Sequence, residues 1–232
     1  MVGLAVGCVV AGGELIRKAQ LNAIGSDANR FIEATQTFRQ KYAALPGDMK
    51  NATQFWGVLA GTGSDASCAK AAATGTATCN GDGNGRVSFT RSGDQESLRF
   101  WQHLANAGLI SGQYTGIGAQ PIVDAHSTSG HDVTWLTGYM GNHRASDLEF
   151  AGAWGNVFSV LLANDSALRP VEAYRIDAKF DDGMPATGKI IGFKGSGAHP
   201  CINAAKGDDA RATYNVGDKL RDCPMLYFVR AY

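Results

Sequence analysis

Apolar residues recur every seven positions near the start of this chain. Ile24, Phe31, Phe38 and Leu45 form one set, and Leu21, Ala28, Thr35 and Tyr42 interleave with it. The combined three-and-four spacing is a single stripe along a helix. Pro46-Gly47-Asp48 is expected to end that helix, because proline lacks the N–H and glycine accepts a left-handed turn. Gly25 and Ser26 interrupt good helix formers and could permit a bend. The helix so read runs about thirty to forty-five residues, well beyond the ordinary range of roughly 8–20. One reading is a coiled-coil arm or a long core helix. The sharper one is an anchor, with its first half in lipid or among sister helices and its second half on a head. The chain divides accordingly into a spine over 1–50 and a globular head over 51–232.

The segment Met1–Gly13 carries no charge. At about 1.5 Å per residue its helix reaches roughly 20 Å, against a hydrocarbon core of about 30 Å. It is too short to span a bilayer alone, and it lacks the basic leader of a signal peptide. Ala5-Val6-Gly7-Cys8 only partly matches a lipoprotein cleavage box. The segment therefore reads as a fragment of a longer apolar helix.

The head is rich in glycine, serine and threonine, with short segments between them. The whole chain's 44% hydrophobic content supports a real core and excludes wholesale disorder. Lys+Arg and Asp+Glu balance at 21 each, so groove-filling nucleic-acid binding by bulk charge is not expected. A helix is predicted from Glu96 to about Leu109, capped by Asp94 or Ser92, with Leu98, Trp101, Leu104 and Ala105 inward and Gly108 at its end. A second short helix begins at Pro170 and ends near Asp181. Strands are predicted over Thr134–Tyr139, Asn156–Ala163, Lys189–Lys194 and Met225–Ala231. Strands following helices predict an α+β head with a mostly antiparallel sheet.

Cys68, Cys79, Cys201 and Cys223 lie in polar, glycine-rich surroundings, and none has the spacing of a zinc or redox motif. Four loop cysteines allow three pairings. Cys68–Cys79 and Cys201–Cys223 are favoured because each closes a local loop, contributing on the order of 3 kcal/mol. Disulfides would imply an oxidising compartment; four reduced cysteines would imply a cytosolic one.

Asn80-Gly-Asp82-Gly-Asn84-Gly85-Arg86 sets oxygen side chains at alternate positions with glycine sixth. This resembles the first half of an EF-hand loop, where alternation places oxygens on one concave side for a hard cation. The twelfth position is Arg91, so Asp94 or Glu96 would have to complete the set. Calcium held by Asn80, Asp82, Asn84, Arg86, Asp94 and Glu96 is one reading; a turn pinned by Cys79 is the other. Gly183–Ile190 nearly spells a phosphate-binding loop, but Ile190 replaces the magnesium-binding hydroxyl, so it is read as a turn between helix and strand. His126, His131 and Asp132 could bind a metal but lack a partner motif and read as solvated loop residues. Trp56, Trp101, Trp135 and Trp154 read as core or subunit-contact aromatics.

The stretch Glu14–Gly57, reading ELIRKAQLNAI…FRQKYAALPGDMKNATQFWG, resembles type IV pilin-like proteins, including the pseudopilins of type II secretion. Leu98–Ile110 and Tyr174–Lys189 look like segments of the same proteins, and the two C-terminal cysteines resemble a disulfide-bounded pilin region. The resemblance implies a long helical spine on a β head, with Ile24, Phe31, Phe38, Tyr42 and Leu45 in helix packing. It implies a structural subunit, not an enzyme, that is made as a prepilin, cleaved, N-methylated and assembled with other pilin-like subunits through its helix. The location implied is the bacterial cytoplasmic membrane with a periplasmic head, or an extracellular filament. Against the family's processing signature, the chain opens inside the apolar run and reads as N-terminally truncated. The face around Val6, Val10, Ile16 and Ile24 would pack with neighbouring helices, while Phe31 and Phe38 hold the head. Two further readings are a minor-pilin or adhesin module using the loops at 60–86 and 111–132, and an exported metal-dependent hydrolase.

Overall fold

The computed structural model describes residues 2–59, 72, 75–88, 96–117, 133–143, 150–162, 168–194, 201–204, 209–220, 223 and 225–229, with the side chains of the first helix from Gly12 onward. The leading helix, α1, is Val2–Tyr42, 41 residues long. Both heptad sets face inward: Leu21, Ile24, Ala28, Phe31, Thr35 and Phe38 are all buried, and Tyr42 is half-buried. Leu45 is also buried but lies past the helix. The helix ends before the proline, at Ala43, which turns left-handed at φ 53° and donates its N–H to the Arg39 carbonyl at 2.9 Å.

After α1 come α2 (Ala52–Trp56), α3 (Glu96–Asn106) and the strands β1 (Val133–His143) and β2 (Gly152–Leu162). Then follow α4 (Pro170–Phe180), β3 (Ile190–Gly192), β4 (Ile202–Asn203), a 3-10 turn at Asp209–Arg211, β5 (Thr213–Tyr214) and β6 (Met225–Val229). The main sheet has the order β1-β2-β6-β3, with every neighbouring pair antiparallel. β4 and β5 form a separate antiparallel pair. The fold is therefore α+β, with one long helix and an antiparallel sheet.

The predicted helices and strands all occur, with shifted ends. α3 stops at Asn106, and its end is a Schellman turn. Leu109 N–H reaches Leu104 O at 3.0 Å, and Gly108, at φ 72°, reaches Ala105 O at 2.9 Å. β1 and β2 are longer than read because their pairing continues through register shifts around Gly141, opposite Gly155.

One hydrophobic core joins the spine to the head. Phe31 lies edge-on to Trp101 at 5.0 Å and to Trp135 at 5.5 Å, and it also meets Phe158 of β2 at 6.0 Å. Trp101, Trp135 and Trp154 are buried core aromatics, as read from sequence. One expectation for α1 needs correction. Ile24 is buried in this core and is not open to a neighbouring helix. Gly25 allows close approach, since a Cβ there would sit 2.1 Å from the Phe180 ring of α4, and the helix continues through it.

Cys201 and Cys223 are disulfide-bonded across a separation of 22 residues. Cys79 is also disulfide-bonded; Cys68 lies outside the described residues, so the local pairing read for it rests on sequence alone.

Candidate functional site

The candidate site forms where the end of α1, the 80–86 loop and the start of α3 meet. Gly47 brings them together. It has φ +78°, and a Cβ there would lie 2.2 Å from the Glu96 carbonyl oxygen, so only glycine lets this turn pass against α3. The Gly47 N–H donates to Nδ1 of His103 at 2.9 Å. The next residue, Asp48, is thereby carried beside Glu96.

The loop closes over Asp48. Its Oδ1 accepts the Asn84 N–H at 2.9 Å and its Oδ2 the Gly85 N–H at 2.9 Å. Glu96 accepts the Asp82 N–H at 3.0 Å and the Ser88 N–H at 2.9 Å. Asp82 accepts the Asn84 N–H at 2.9 Å and its Nδ2 at 2.6 Å. Carboxylate oxygens of Asp48, Asp82 and Glu96 all lie within 4.8 Å of one another. Of the three, Asp48 borders a cleft of about 860 Å³ that is also lined by Gln36, Arg39, Tyr42 and Lys50.

Three clustered carboxylates repel, and two of them are buried. Burial raises the Asp48 carboxyl to about 6, helped by a shared hydrogen bond with Asp82 and by the Glu96 charge, and opposed by the N–H groups of Gly85 and Asn84. Burial also raises Glu96 against the N–H groups of Ser88 and Asp82. A shared proton relieves this repulsion. A hard cation on the free lone pairs of the same oxygens would do so too.

The oxygen set differs from the one read off the loop. Asp82 and Glu96 belong to it. Asn80 does not: its Oδ1 accepts the Thr53 N–H at 3.0 Å and the Thr53 hydroxyl at 3.1 Å, pinning α2. The Asn84 Oδ1 accepts the Arg86 N–H at 2.8 Å. The Arg86 guanidinium lies over the Tyr139 ring at 4.7 Å. Asp94 lies outside the described residues. Asp48 was missed because nothing in its local spacing ties it to a loop thirty-six residues away at Asn84.

His103 was also missed as a structural group. It is fully buried, and burial together with the nearby Arg99 charge lowers it to about 3. It is therefore neutral. With Nδ1 accepting from Gly47, Nε2 carries the proton and meets Thr78 Oγ1 at 3.0 Å, and the Thr78 hydroxyl donates to Gln102 Oε1 at 2.7 Å.

The Gly183–Ile190 segment is the predicted turn between α4 and β3. Asp181 Oδ2 accepts the N–H groups of Lys189 and Ile190, and Asp182 Oδ2 accepts the Thr187 hydroxyl at 2.7 Å. Asp177 accepts the Gly183 N–H at 2.9 Å and the Tyr214 hydroxyl at 2.7 Å. Burial, then repulsion from Asp182 and Asp181, raises Asp177 to about 7 against these two bonds. His126, His131 and Asp132, the residues of the hydrolase reading, lie outside the described residues.

Before Leu21, α1 presents apolar side chains outward: Leu15 is 67% exposed and Ile16 63%. Among the described residues no helix is long and apolar enough to cross a membrane. No protein-family model, curated protein or solved structure matches this chain.

Proposed function

We propose that the chain is a structural, non-enzymatic subunit of a type IV pilus or type II secretion pseudopilus that assembles through its N-terminal helix. One observation carries the reading. α1 is a single helix with two environments: from Leu21 onward its stripe is buried in the head, while Leu15 and Ile16 project apolar surface outward. Exposed apolar surface of this kind is stabilised by burial against a partner at about 25 cal/mol per Å². In this reading the partner is the same helix region of other pilin-like subunits, and the head rides on the outside.

A photo-crosslinker in place of Ile16 tests the reading on the chain in membranes. Adducts to a second pilin-like chain, lost when Leu15 is replaced by Glu, are the expected result. Crosslinks to lipid alone would overturn assembly through this face.

A further inference from the structure

Asn-Gly occurs twice in the chain, at Asn80-Gly81 and Asn84-Gly85. The two pairs share a sequence but differ in surroundings. We propose that Asn84 is a self-modification site: the folded loop promotes attack of the Gly85 backbone nitrogen on the Asn84 side-chain amide, converting Asn84 to aspartate or isoaspartate. This inference is independent of the filament reading.

Such a reaction needs an acceptor on the attacking N–H, a donor on the attacked carbonyl and a proton route to the leaving amine. All three are in place. The Gly85 N–H points to Asp48 Oδ2 at 2.9 Å. The Asn84 Oδ1 accepts the Arg86 N–H at 2.8 Å, which stabilises charge developing on that oxygen. The proton route runs between Asp48 and Asp82, whose carboxylate oxygens come within 4.8 Å of each other, and on to the Asn84 Nδ2, which is 2.6 Å from Asp82 Oδ2.

The step balances. The Gly85 nitrogen bonds to the Asn84 Cγ and passes its proton to Asp48. The proton moves through Asp82 to Nδ2, the Cγ–Nδ2 bond breaks, and ammonia leaves a cyclic imide. Water then opens the imide at either carbonyl. The product adds a carboxylate to a loop already crowded by Asp48, Asp82 and Glu96.

The other pair is an internal control. Gly81 N–H donates to the Met49 carbonyl at 2.9 Å, not to a carboxylate. The Asn80 oxygen also has donors, from Thr53, but no carboxylate faces the Gly81 N–H to take its proton, and the backbone there is tightly packed, with a Cβ at Gly81 lying 2.3 Å from the Gly47 carbonyl oxygen.

The test is peptide mapping of the intact disulfide-bonded chain, aged at neutral pH in chelator, with fragment ions separating the two positions. Asn84 is expected to deamidate at least about tenfold faster than Asn80, a small part of the ~10²-fold or more that positioned proton transfer supplies. The ratio is expected to fall close to unity in denaturant, and to fall in a folded Asp48→Asn variant. Equal or slower reaction at Asn84 in the folded chain would overturn the proposal. So would a ratio that survives denaturation, which would place the cause in local sequence. Should Asp48→Asn fail to fold, the denaturant comparison alone decides.

Discussion

Arg17 on α1 grips both carboxylate oxygens of Glu172 on α4: Nε meets Oε1 at 2.9 Å and the second guanidinium nitrogen meets Oε2 at 3.0 Å. The Glu172 side chain is fully buried, and Arg169 adds a further contact at 2.9 Å. A bidentate pair fixes orientation as well as distance. It locks the exposed part of the spine to the head just below Leu15 and Ile16.

Burial alone would raise the Glu172 carboxyl, but the bonds from Arg17 and Arg169 outweigh it and hold it at about 2. Its contribution to stability is present above the unfolded value of about 4.5 and is lost as pH falls toward about 2. Arg17→Ala is expected to cost about 2 kcal/mol near neutral pH, since one charged partner of a buried carboxylate is removed. It should also move the acid-unfolding limb to higher pH, and denaturant titrations across the acid range check both.

Phe31 is a central contact between the spine and the aromatic core, touching Trp101, Trp135 and Phe158. Phe31→Ala is expected to cost about 3–5 kcal/mol through lost transfer energy and a residual cavity. Phe31→Leu should cost clearly less. Urea unfolding monitored by tryptophan fluorescence reads both, and equal losses would deny Phe31 this role.

Buried His103 must stay neutral to accept from Gly47 and donate to Thr78. Its folded value near 3 lies below the unfolded 6.5, so its contribution is fully present above about 6.5 and declines as pH falls. His103→Phe strands the Gly47 N–H, for an expected cost of about 1–3 kcal/mol. The variant should lose this share of the pH dependence between about 6.5 and about 3. Chemical denaturation of both proteins at several pH values supplies the test.

The Asp48, Asp82 and Glu96 cluster predicts linked proton and cation effects. Because the folded Asp48 holds its proton up to about 6, its share of stability falls as pH rises from about 4 to about 6. A cation competes with that proton. Millimolar calcium is therefore expected to raise the thermal midpoint relative to chelator at about pH 7.5, and to raise it much less at about pH 5. Asp82→Asn should reduce the calcium effect while raising stability in chelator, because one repelling charge is gone. Equal midpoints with and without calcium at the higher pH would assign the cluster to proton sharing alone.

Much of the fold was legible because periodicity and turn chemistry are local. The heptad sets from Leu21 to Phe38 named the buried face of α1. Pro170 marked the start of α4, and Gly108 marked the end of α3. The early stop at Ala43 was not legible. Ala43 takes a left-handed φ of 53°, which is uncommon for a residue with a Cβ and which local propensity does not report.

The alternating oxygens of the 80–86 loop were visible in the chain, and the partners of those oxygens were not. By itself the sequence determined the spine, its inward stripe, the antiparallel α+β class and a polar loop dense in carboxylate and amide groups. Only the tertiary structure decided that Asp48 and Glu96 join Asp82, that Asn80 caps α2, and that Arg17 meets Glu172, 155 residues away. The reason is physical: side-chain period is set by neighbours along the chain, whereas a buried charge takes whichever donor packing brings within hydrogen-bonding distance.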